Sequence, residues 1–66
     1  MNYRSEQDKQ KQIEVADRLS DLSKQMRQAA DVMTECYWDA NMSRHAKELD
    51  DAAYMVDWWA SEIRGE

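Results

Sequence analysis

Cys36 and His45 are the side chains of this sequence with the most intrinsic reactivity near neutral pH. They flank a polar break at residues 39–43, so two helices meeting there would bring them close in space. A thiolate–imidazole pair also needs a third group to orient the base, and none stands at a suitable spacing. Cys36 is therefore read as a small hydrophobe on a helix seam, and His45 as a solvated residue near a helix start. His45 with Glu48 forms an H-x-x-E spacing. Carboxylate-bridged metal bundles use the reverse order, Glu-x-x-His, with further glutamates on facing helices. The order is inverted here and occurs once, so no metal site and no cofactor is expected. Asp50, Asp51, Asp57 and Glu62 read as a solvated acidic face rather than an acid/base pair. These residues do not assemble into catalytic machinery, and the expectation is a protein that is not an enzyme.

The aromatic residues near the C-terminal end carry the strongest functional signal. Tyr54 and Trp58 are four apart and share one surface of a helix. That surface is edged by Asp50, Asp51, Asp57 and Glu62, which would favour a basic patch on a partner and speed encounter with it. Trp59 points about 100° away, toward Ala52, Met55 and Val56, and is expected to serve the intramolecular core. Two adjacent tryptophans cannot face one interior. Trp58 is thus either an aromatic knob in a homodimer interface or a hot spot for a different protein.

The elements that hold these residues are read from periodicity. Val15, Leu19, Leu22, Met26, Ala29, Met33 and Cys36 recur at steps of four and three, the seam of an amphipathic helix. Carried past residue 38, the same phase meets Ala40, Ser43, Lys47, Asp50, Tyr54, Asp57, Ser61 and Arg64, mostly a wet face. A second stripe in a new phase takes over: Met42, Ala46, Leu49, Ala53, Val56, Ala60 and Ile63. Ala16, Ala30 and Tyr37 stand one position beyond the first seam and widen it. The phase break predicts helix one over about 6–38, a turn over about 39–42 and helix two over about 43–64. Ser5 with Asp8 suits the first N-terminus, and either Asn41 or Ser43 the second. Gly65 suits a left-handed stop. Because the break lacks glycine and proline, a bent continuous helix is the alternative. Ala46, Ala53 and Ala60, seven apart, predict close antiparallel packing.

Sixty-six residues with no proline, one glycine and one cysteine make a single small all-α domain without an internal disulfide. Chains of this size usually rely on metal, a partner or self-association. The hairpin is therefore expected to dimerise, coiled-coil fashion, into a four-helix bundle. No apolar segment near the N-terminus resembles a secretory signal, and none is long enough to span a bilayer. A cytoplasmic location is the expectation. The net charge is −5, of which residues 39–66 carry −4 (seven acids, three bases). That balance argues against direct binding to nucleic acid or to anionic membrane.

In size, acidity and lack of catalytic motifs the chain resembles the small all-helical accessory proteins of temperate phages and mobile elements. The resemblance is one of general character over the whole chain, and it implies a host protein as target. The expected function is a protein–protein interaction module that binds and modulates such a protein. The alternatives are a structural or antitoxin-like subunit of a larger assembly, and a DNA-mimicking inhibitor whose carboxylates replace phosphates.

Overall fold

In a computed structural model the chain is an all-α hairpin, described over residues 5–65. Helix α1 spans Glu6–Glu35 and helix α2 spans Ala40–Arg64. They lie side by side in a rod measuring 52 × 14 × 13 Å. A short turn separates them, so the chain is not a bent continuous helix. The hairpin has one intramolecular interface, α1 on α2.

The helix ends follow from local chemistry. Ser5 caps α1, its hydroxyl oxygen accepting from the Asp8 amide at 3.2 Å. Helix α1 stops at Glu35, three residues short of Trp38. The Cys36 amide donates to the Met33 carbonyl, and the Asp39 amide to the Cys36 carbonyl, each at 3.0 Å. These bonds tighten the last turn and start a reverse turn through Tyr37 and Trp38. Helix α2 then begins at Ala40, with Asp39 as its cap rather than Asn41 or Ser43. The Asp39 carboxylate accepts from the amides of Asn41 at 2.9 Å and Met42 at 3.2 Å. A carboxylate satisfies two exposed amides and also complements the positive end of the helix dipole, which neither an amide nor a hydroxyl side chain does as well. Gly65 closes α2 at φ 83°, its amide donating to Ser61 and Glu62. Only glycine takes up that conformation without strain.

Burial divides the sequence stripes unevenly. On α2 it falls on Ala46, Ala53, Val56 and Ala60, with Met42, Leu49 and Ile63 half-buried. On α1 the buried row is Ala16, Ser23 and Ala30, with Leu19, Met26 and Met33 half-buried beside it. Val15, Leu22 and Ala29 are exposed and do not belong to the intramolecular seam. The reason is size. Alanines every seven residues on α2 let the two backbones approach closely, and only an equally small row on α1 fits that space. Bulky Val15 and Leu22 are turned out to the flank. Trp59 is likewise largely exposed rather than part of the hairpin core, because the alanine seam leaves no room for an indole.

Candidate functional site

The hairpin has two dissimilar long sides, and the side chains of α1 and α2 that touch across the seam define them. On the first side, Arg27 reaches across from α1. Its guanidinium donates to the Asp57 carboxylate and stands over the Tyr54 ring, 5.0 Å from the centroid. Farther along the same side, Arg64 of α2 donates to the Asp17 carboxylate and, at 3.1 Å, to the Ser20 hydroxyl. The positions agree with helical geometry. Arg27 and Ser20 lie on one flank of the buried Ser23 position, while Asp57 and Tyr54 lie on the matching flank of Ala53.

Tyr54 and Trp58 extend this side outward and are 71% and 62% exposed. Asp50, Asp51 and Glu62 are exposed around them, and Asp57 is half-buried. Asp57 is not a free rim charge, because Arg27 already holds it. The site is thus an aromatic pair one turn apart, with a cation stacked on one ring and acids along its edge. Such a pair offers a large, rigid apolar contact at low entropic cost. Arg27 was not visible as part of this group in the sequence. Its distance of thirty residues from Asp57 has no meaning until the register of the hairpin is known.

The second long side is apolar. Val15 and Ile63 meet in a shallow groove with the stems of Lys11 and Gln12. Leu22 and Ala29 continue the row from Val15 along α1. On α2, Ala52, Val56 and Trp59 lie on the same flank as Ile63. Tyr54 and Trp59 therefore stand on opposite sides of the seam.

A third aromatic group caps the turn. Tyr37 and Trp38 stack edge to face, with ring centroids 5.5 Å apart and planes at 80°. At 83% and 75% exposure they are the most exposed of the large hydrophobic side chains described. Sequence periodicity placed them inside helix one, where they would be unremarkable. The only available signal was the Asp39 cap directly behind them.

The remaining candidates have ordinary surroundings. Cys36 is half-buried at the end of α1, with its thiol 3.9 Å from the Val32 carbonyl. His45 Nδ1 lies 3.4 Å from Glu48 Oε1, on an exposed face that also holds Arg44. Among the described residues no three His, Cys, Asp or Glu side chains are gathered where they could hold a metal ion. No helix among them is long and apolar enough to cross a membrane.

No known protein family, curated protein or solved structure matches this chain.

Proposed function

We propose that the protein is a non-enzymatic interaction module that captures another protein through Tyr54 and Trp58, in the manner of a small phage or mobile-element accessory protein that modulates a host target. The observation that carries this reading is the exposure of that aromatic pair on the Arg27 side of the hairpin. There it covers no part of the molecule's own core. Exposed tyrosine and tryptophan side by side are characteristic of binding hot spots, and Asp50, Asp51 and Glu62 suit a partner with a basic rim. The DNA-mimic alternative is weakened by Asp17 and Asp57, which arginines of the same chain neutralise. They break up what would have to be a phosphate-like array.

The test is co-purification from source or host lysate with tagged wild-type protein and with Trp58→Ala, each with and without nuclease. A stoichiometric protein partner that survives nuclease and is lost with Trp58→Ala, while helicity is unchanged, supports the reading. A partner retained by Trp58→Ala, or one that nuclease removes, refutes it.

A further inference from the structure

We infer that the second long side, formed by Val15, Leu22 and Ala29 of α1 with Val56, Trp59 and Ile63 of α2, is the binding face for a second copy of this chain. This interface is separate from the Tyr54–Trp58 surface and does not depend on its role.

The first argument is area. The hairpin exposes 5299 Å², whereas a compact monomer of its 7.8 kDa exposes about 4,400 Å². The excess of about 900 Å² is close to the ~800 Å² that each partner contributes to a standard protein interface. The radius of gyration points the same way: it is 15.3 Å, against about 11 Å for a compact chain of this length. Two rods laid side by side would cover that excess surface and form a thicker, less elongated particle.

The second argument is the composition of what is already buried. Among the described residues nothing larger than Val56 is buried, and Ala16, Ala30, Ala46, Ala53, Ala60 and Ser23 make up the rest. The larger apolar side chains of the seam, Leu19, Met26, Met33, Leu49 and Ile63, are only half covered. Their open halves border the Val15–Leu22–Trp59 side. A second layer of helices would complete their burial, and two layers around one core is the usual solution for helices of this kind.

The third argument concerns which occupant fits. From Val15 to Met33 the central positions of α1 on this side are Val15, Leu19, Leu22, Met26, Ala29 and Met33, all without charge, with Arg18 beside Leu22 at the outer edge. Leu49, Ala52, Val56, Trp59 and Ile63 of α2 are equally uncharged. A patch with an uncharged centre and charges only at its edge complements itself under a two-fold rotation, and an isologous contact needs that property. With the two-fold axis parallel to the helices, α1 of each copy rests on α2 of the other, antiparallel, and the four helices close into a bundle. The Tyr54–Trp58 pairs then remain outside, one on each copy.

The experiment is sedimentation equilibrium with thermal unfolding by circular dichroism, over about a hundredfold range of concentration. Wild-type protein is expected at twice the chain mass, with a midpoint that rises with concentration. Leu22→Lys places an unpaired charge in the contact and should weaken dimerisation about tenfold or more; Ala29→Glu should do the same from the far end of the row. Both positions are exposed in the single hairpin, so neither change disturbs the fold of one chain. Trp58→Ala should leave the dimer intact. A wild-type protein at chain mass throughout, with a concentration-independent midpoint, overturns the inference. So does a dimer that survives both Leu22→Lys and Ala29→Glu, or one that Trp58→Ala dissociates. Loss of partner capture bears only on the other surface, so the two readings fail separately.

Discussion

Asp39 and Ser23 show how much single positions decide in a molecule this small. Asp39 ends the turn and starts α2 with one carboxylate that accepts two amides. Asp39→Ala should cost about 1 kcal/mol, lowering the thermal midpoint by roughly 4–8 °C, while Asp39→Asn should recover most of the loss. Circular-dichroism melts at one fixed concentration would measure both. Ser23 occupies the centre of the buried row on α1, and its hydroxyl has no hydrogen-bond partner. A buried hydroxyl without a partner loses its hydration and gains nothing in return. Ser23→Ala should therefore leave the midpoint unchanged or raise it; a clear fall would show that the hydroxyl has a role. The functional value of Ser23 is its small volume, which permits close helix approach. Ser23→Leu should cost about 1–3 kcal/mol through overpacking.

Among elements, the hairpin depends on the match between two rows of small residues. Ala53→Leu tests this from the α2 side, where Ala53 is fully buried. Overpacking should lower the midpoint by an amount similar to Ser23→Leu; an unaltered midpoint would mean that the helices are not closely packed there. The Arg27–Asp57 bridge tests the register from the edge. Its side chains are 41% and 38% exposed, so solvent screens the pair. A double-mutant cycle with Arg27→Gln and Asp57→Asn should give a coupling of about 0.5–1 kcal/mol, reduced in about 1 M salt. The cap residues Ser5 and Gly65 were legible beforehand, because the chemistry of a helix end is local. The register of α1 was not. Rows 15/22/29 and 16/23/30 both border the Leu19–Met26–Met33 row, and periodicity alone ranks the bulkier row first. Only the alanines of the opposing helix reverse that order.

At the scale of the whole molecule, most of the exposed apolar surface described falls in three places, the turn with Tyr37 and Trp38, the Tyr54–Trp58 side and the Val15–Trp59 side, while Ile13, Val32 and Met55 are exposed outside them. A small helical protein that leaves this much aromatic surface uncovered suits a function carried out through contacts. The candidate site was partly legible. Tyr54 and Trp58 share a helix face by spacing alone, and their acidic neighbours are visible in the same segment. The stacking of Arg27 on Tyr54 and its hold on Asp57 were not, because both join residues far apart in sequence.

Composition was enough to determine an all-α chain, and the change of phase near residue 40 pointed to two helices folded back on each other without excluding a bent single helix, since helix formation and hydrophobic periodicity are properties of neighbouring residues. Tertiary structure alone decided which flank of α1 faces inward, because that depends on the volume available between two particular backbones. The same decision turned Val15, Leu22 and Trp59 outward and placed Arg27 beside Tyr54. The two exposed long sides of the hairpin are consequences of that register, which no single segment of the chain encodes.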